Sequence, residues 1–161
     1  MPNNQKIVQE WFRILRDKLV NTFQDIDGEK FTFKNWDHSG NGGGVMGKIK
    51  GPVIEKGGVN ISTVSGEFSD KMKSRIPGTD KSAKYWATGI SVVIHPRSPL
   101  IPSMHFNTRY LKTEKKWFGG GMDITPSNEF EKETISFHKK LKEHCDRHDT
   151  DYYKKHKKWC D

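Results

Sequence analysis

Three segments in the middle of the chain alternate apolar and polar residues with the two-residue period of β-strands. They are Gly89–His95, Ser103–Tyr110 and Trp117–Ile124. If these strands pair in order, one face of the sheet is apolar. The other face then collects acidic, basic and guanidinium groups beside glycine, and such convergence predicts a binding or catalytic site. The polar residues of that face are Ser91, His95, His105, Asn107, Arg109 and Asp123.

The periods of other segments predict helices. An amphipathic helix that ends at Gly28 is predicted over residues 5–27, because apolar residues recur every four positions there. The stripe consists of Ile7, Trp11, Leu15, Leu19 and Phe23, widened by Val8, Phe12 and Ile26. A second helix is predicted over residues 128–146, opened by a capping box of Asn128 and Glu131. A third is predicted over 151–159. We expect the buried sides of these two helices to carry Ile135, His138, Leu141 and Cys145, and Tyr152, His156 and Trp159.

The remaining segments predict shorter elements. Further strands are expected at Val45–Lys50, Val53–Glu55 and Val59–Val64, and a loop with a short helix at Glu67–Tyr85. The glycine run Gly42–Gly44 lacks the lysine spacing and flanking helix of a phosphate-binding loop. It therefore predicts a tight turn or a flap near the sheet.

Several long runs of this sequence are distinctive. The two central ones are "ATGISVVIHPRSPLIPSMHFNTRYL" and "WFGGGMDITP". Three more are "GGGVMGKIKGPVIEKGGVNIS", "FHKKLKEHCD" and "YYKKHKKWCD". In residues and in order, these runs resemble the oxygen-dependent coproporphyrinogen-III oxidase family. The resemblance spans residues 8–161, and members of the family are roughly twice as long. We therefore expect residues 1–161 to form a single domain that is the N-terminal part of such a protein.

The resemblance implies both a fold and a reaction. The fold is α+β, with a large, mainly antiparallel sheet and helices packed on its faces, here truncated at the C-terminus. The reaction is the oxidative decarboxylation of coproporphyrinogen III to protoporphyrinogen IX in haem biosynthesis. Molecular oxygen is the co-substrate, and no other cofactor is required. The family also implies a homodimer.

The resemblance further implies roles for residues of the polar face. His105 and Asp123 are implied as catalytic residues, with Asp123 facing the pyrrole nitrogens and His105 acting as a general acid or base. Arg109 is suited to bind a carboxylate through two hydrogen bonds of its guanidinium. An ion pair with Asp123 is the alternative role. The residues implied to bind substrate are Ser91, Asn107, Thr108 and Arg109.

A metal site is a separate hypothesis. His95, His105 and His138 could converge on a divalent metal, and histidine assignments of this kind have been attached to the family. Their spacing matches no standard zinc signature, however. The alternative is that hydrogen-bonded histidines line a polar pocket.

Composition limits the function classes. The net charge is +8, which is compatible with nucleic-acid binding, but acidic residues interrupt the densest basic run at 139–158. A basic chain also suits a substrate that bears four carboxylates. Only 32% of residues are hydrophobic. Either the chain is a polar soluble domain, or part of its core belongs to absent sequence or to a partner chain.

The last expectations concern location and rival functions. No apolar run approaches the ~20 residues of a membrane span, and the first residues resemble no targeting peptide, so we expect a cytoplasmic protein. Cys145 and Cys160 are expected to pack as small apolar residues rather than to form a disulfide.

Two rival functions stay open: a truncated, non-catalytic tetrapyrrole-binding remnant, and a basic nucleic-acid-binding domain.

Overall fold

The fold is seen in a computed structural model, which describes residues 3–128 and 131–160. Within these residues one long helix precedes a run of strands, and two shorter helices follow it. In chain order the elements are α1 (Asn3–Asp27), β1 (Thr32–Asp37), β2 (Asn41–Ile49), β3 (Ile54–Glu67), α2 (Asp70–Lys73), β4 (Lys84–Pro96), β5 (Ser103–Lys112), β6 (Lys116–Thr125), α3 (Glu131–Asp146) and α4 (Tyr152–Cys160).

The strands form a single six-stranded antiparallel sheet in the order β1-β2-β3-β4-β5-β6. Each strand therefore pairs with its neighbours in sequence. In the central part, Val92 lies opposite Phe106 and Phe106 lies opposite Met122. The α+β class, the antiparallel sheet and the pairing order of the three central strands were all predicted correctly.

The core lies between α1 and one face of this sheet, which we call the α1 face. Phe12 and Phe23 of the helix are buried, as are Val59, Ile90 and Val92 of strands β3 and β4. Burial of each such side chain contributes ~1.5–3 kcal/mol to folding. The opposite face of the sheet, which we call the polar face, carries the predicted site.

Helix α1 was predicted correctly in its extent, but its apolar surface is only partly buried. It ends as expected at Gly28, whose φ of 84° allows its N–H to donate to the carbonyl of Gln24 at 2.8 Å. A second stripe, made of Ile7, Trp11 and Ile14, stays exposed. The predicted stripe included Ile7 and Trp11, and these two residues do not reach the core. No helix of the described residues combines the length and the hydropathy needed to cross a membrane.

Asp27 connects the end of α1 to the sheet. It is buried, and its Oδ1 atom accepts hydrogen bonds from the backbone N–H groups of Val53 and Ile54 at 2.9 and 2.5 Å. A carboxylate in this position satisfies two donors at the start of β3. The side chain therefore fixes where the long strand β3 begins relative to the helix.

We expect Asp27→Ala to lower the free energy of unfolding by about 2–4 kcal/mol, because it leaves two backbone donors without their charged acceptor. Chemical denaturation followed by circular dichroism measures this change. Asp25→Ala, at an exposed position of the same helix, is the matched control. Equal stability of the two variants would contradict a connecting role for Asp27.

The prediction was wrong at the first strands. Strand β1 was missed, β3 is one continuous strand from Ile54 onwards, and the glycine run belongs to β2 rather than to a turn. Gly42 has a φ of 93°, a backbone conformation that is typical of turns. In this structure it occurs inside a paired strand. A Cβ atom at Gly44 would collide with the carbonyl oxygen of Ile61 and with the indole of Trp36, so this glycine makes room for a side chain of the neighbouring strand.

The last two helices were placed correctly but are less buried than predicted. The start of α3, including the predicted capping box, adjoins Glu129 and Phe130, which lie outside the described residues. Ile135 and Tyr152 are exposed, Trp159 is 91% exposed, and Cys160 is also exposed. The two helices pack mainly on each other rather than on the sheet, which is why their apolar sides are not covered. The short helix expected in the 67–85 loop is α2.

Candidate functional site on the polar face

The pairing of β4, β5 and β6 brings the predicted polar residues together. Ser91 lies opposite Asn107, and His105 lies opposite Asp123. Opposed residues of an antiparallel sheet extend to the same side, with Cβ atoms about 4.5–5.5 Å apart. Arg109 follows two residues after Asn107 and therefore lies on the same face. The strands thus build a continuous polar surface from residues that are far apart in sequence.

His105 and Asp123 form a hydrogen-bonded pair at one end of this surface. Their Nδ1 and Oδ1 atoms are 2.7 Å apart, and their side chains are 37% and 62% exposed. When Nδ1–H donates to the carboxylate, the ring orientation is fixed and Nε2 is left to exchange a proton with a ligand. The pair has the geometry of a general acid–base group held by an orienting carboxylate.

Arg109 and Asn107 form a second pair on the same face. The guanidinium of Arg109 donates to Oδ1 of Asn107 at 3.1 Å. Asp123 pairs with His105, so the alternative of an Arg109–Asp123 ion pair is not made in this structure. A side chain at Gly89 would collide with the Cα and Cβ atoms of Arg109. The glycine therefore allows Arg109 to lie close to β4, where its remaining N–H groups can bind an anion.

A cavity of about 350 Å³ opens beside these residues. This volume falls within the ~300–1,000 Å³ that ligand pockets usually have. Ser91, Asn107 and Arg109 line one side of it. The other lining residues are Trp36, Asn60, Ile61, Ser62, Ala87, Thr88, Gly89, Ile90 and Thr108.

The glycines of β6 leave the neighbouring surface open. Gly119 lies opposite Arg109 and Gly121 lies opposite Asn107. A Cβ atom at either position would meet nothing within 4 Å, so the sheet is flat and uncovered there. At Gly120, in contrast, a Cβ would collide with the backbone of β5. Two of the three glycines therefore provide free space for a ligand, and the third is required by strand pairing.

The structure brings two of the three candidate metal-binding histidines together. The rings of His95 and His105 lie with their centroids 5.9 Å apart. His138 instead contacts α4, with its Nδ1 atom 3.0 Å from the hydroxyl of Tyr153. Across residues 3–128 and 131–160, no three His, Cys, Asp or Glu residues are grouped as a metal site requires.

The structure also refines the predicted substrate contacts. Thr108 lies opposite Ile90 and Gly120, so its side chain extends to the α1 face, although the residue lines the cavity. Trp36 and Asn60 line the same cavity and were missed. Trp36 lies on a strand that was not predicted. The signal that could have found it is a lone tryptophan followed by a run of glycines, which indicates a large side chain lying over a bare strand.

Together these features define an α+β protein with a candidate small-molecule site on the open face of an antiparallel sheet. The family model "Coproporphyrinogen III oxidase" matches residues 7–161. The chain therefore belongs to the coproporphyrinogen III oxidase family.

Similar proteins carry the same description. The chain is 51% identical to an oxygen-dependent coproporphyrinogen-III oxidase of Rickettsia akari and 50% identical to one of Rickettsia bellii. A third, from Rickettsia africae, is 49% identical. Each match covers 98% of this chain and 60% of the relative. The chain thus spans about three fifths of the length of these relatives.

Proposed function

We propose that this chain supplies the substrate-binding sheet of an oxygen-dependent coproporphyrinogen-III oxidase. Its substrate is then coproporphyrinogen III, and its product is protoporphyrinogen IX. The observation that carries the proposal is the cross-strand grouping of Arg109 and Asn107 with the His105–Asp123 pair beside one cavity. Family membership supports the proposed reaction, and this grouping supports a part for the chain in it.

The chemistry of the reaction indicates what the residues have to do. Each propionate, –CH2–CH2–COO⁻, becomes a vinyl group and CO2 as two electrons leave the substrate. If one O2 accepts both electrons, one proton from the surroundings balances the formation of H2O2. Since the electron-rich substrate can reduce oxygen itself, the residues need only bind, orient and move protons.

The residues divide between these tasks. Arg109, with Asn107 and Ser91 beside it, binds a propionate carboxylate through charge-assisted hydrogen bonds. Asp123 accepts hydrogen bonds from pyrrole N–H groups, and His105 transfers a proton at the reacting side chain. The open glycines of β6 allow the macrocycle to approach the backbone closely.

The proposal requires molecular oxygen and no organic cofactor. The cytoplasmic location and the homodimer stay predictions, as does the metal hypothesis for His95, His105 and His138. The rival of a binding-only remnant predicts tetrapyrrole binding without turnover in any longer form of the chain. The nucleic-acid rival predicts DNA binding that weakens steeply with salt and that leaves the polar face without a role.

We expect Arg109→Lys to weaken the binding of coproporphyrinogen III by ~1–3 kcal/mol, because lysine keeps the positive charge but cannot make the bidentate hydrogen bonds of a guanidinium. Anaerobic equilibrium titration of the reduced substrate measures the affinity. The control is Arg75→Lys, at an exposed position outside the cavity. Unchanged affinity in Arg109→Lys would refute the carboxylate-binding role.

A further inference from the structure

One row of residues across the polar face forms a shallow trough. Successive strand pairings align Trp36, Gly44, Ser62, Gly89 and Arg109. The three central residues are small, and the two end residues are large. Four strand spacings of ~4.8 Å separate the ends, so the trough is about 19 Å long at the backbone. Arg109 is assigned to the substrate at one end, and the opposite end has no assigned role.

Trp36 forms the wall at that opposite end. Its indole lies over β2, where a Cβ atom on Gly44 would be only 2.8 Å from the Cε2 and Nε1 atoms. The residue is 36% exposed and lines the cavity. Within the described residues its indole N–H has no hydrogen-bond acceptor. Trp36 therefore presents to the cavity an aromatic surface and an indole N–H that is available to donate a hydrogen bond.

Asn60 lies on the floor between the two ends. Strand pairing places it next to Ser91, which is already assigned to substrate binding. Its Oδ1 atom is buried and accepts no hydrogen bond from the part of the chain that the structure describes. A buried acceptor without a donor is unfavourable and uncommon in proteins. Because the atom is buried, a rotation of the Asn60 side chain towards the cavity would let a ligand N–H group donate to it.

We propose that Trp36 and Asn60 form a second recognition element for the tetrapyrrole, on β1 and β3 opposite Arg109. Asn60 accepts a hydrogen bond from a pyrrole N–H, and Trp36 packs against the macrocycle while its indole N–H donates to a second carboxylate. The inference rests on the proposed function, since it assumes a ligand with both N–H groups and carboxylates. A substrate wider than the Arg109 contact would then be held at both ends.

The test compares four variants, together with Arg109→Lys, in a chimaera that joins the 161-residue chain to the part of the Rickettsia akari relative that it does not match. Trp36→Phe keeps an aromatic wall but removes the donor, and Asn60→Leu removes the acceptor at similar volume. The matched controls are Trp11→Phe and Asn21→Leu, at exposed positions of α1 on the other side of the sheet. Anaerobic titrations use coproporphyrinogen III and its tetramethyl ester, and thermal unfolding verifies that each variant is folded.

We expect Trp36→Phe and Asn60→Leu each to weaken binding of the free acid by about 3- to 10-fold, the size of one hydrogen bond. Trp36→Phe should affect the ester less, because the ester has no carboxylate for the indole N–H. Asn60→Leu should affect acid and ester equally, because both keep their pyrrole N–H groups. A purely structural role for Trp36 would instead weaken both ligands alike.

The outcomes separate this inference from the proposed function. If wild type binds and Arg109→Lys binds more weakly, but both cavity variants bind as tightly as their controls, the second recognition element is refuted and the function stands. If Trp36→Phe weakens acid and ester equally, the carboxylate contact is refuted. If the wild-type chimaera binds neither ligand, the proposed function fails and the inference fails with it.

Discussion

Replacing Asp123 by asparagine should lower the rate of coproporphyrinogen turnover about 10²- to 10⁴-fold, the usual contribution of a general acid–base group. The carboxylate holds the imidazole of His105 by a 2.7 Å hydrogen bond and balances the positive charge that the ring gains when it accepts a proton. Asparagine keeps the shape but not the charge, and it can present an N–H to the ring in place of an acceptor. The ring then turns or adopts the wrong tautomer.

The measurement needs a protein of the relatives' length. A chimaera can join this chain to the part of the Rickettsia akari relative that it does not match. Turnover is followed aerobically by the fluorescence of protoporphyrin after oxidation, and affinity is measured anaerobically. Asp25→Asn, at an exposed position of α1, is the matched control. A turnover rate in Asp123→Asn that equals the control would show that the pair is not catalytic.

The position of His105 next to Asp123 could be predicted because strand periodicity determines on which face of the sheet each side chain lies. Alternation in the three central strands assigns each residue to a face, and pairing in chain order places His105 near Asp123. Short connections between antiparallel strands make that order the expected one. Contacts between polar side chains on one face therefore follow from local pattern plus one assumption about topology.

The other half of the cavity could not be predicted in this way. Trp36 belongs to a strand whose residues are all exposed, so β1 has no apolar alternation to identify it. The glycines of β2 are typical of turns. In the structure a Cβ atom at any of the three would collide with a carbonyl oxygen of a neighbouring strand, and at Gly44 it would also meet the indole of Trp36. Trp159 was misjudged for a different reason. An apolar residue at a helical position predicts burial only if another element covers it, and none does among the described residues.

Uncovered apolar surface is also present on the α1 face of the sheet. Phe118 of β6 is 57% exposed, and Met122, four residues further along the same strand, is 51% exposed. The ring of Trp11 lies 6.5 Å from that of Phe118, so the exposed stripe of α1 and the exposed end of the sheet form one continuous patch. The outer edge of β6 pairs with no other strand of the described chain. Apolar patches and free strand edges both favour association.

We therefore expect the 161-residue chain on its own to self-associate and to turn over no coproporphyrinogen III, whereas the chimaera is active. The cavity beside Arg109 is open to water, which weakens the electrostatic contacts that Arg109 and Asp123 make with a bound substrate. Light scattering after size-exclusion chromatography measures association, and the aerobic fluorescence assay measures turnover. Phe118→Lys should reduce association without restoring activity, because it covers no part of the polar face. Clear turnover by a monodisperse 161-residue chain would contradict the expectation, and it would mean that the polar face needs no further wall.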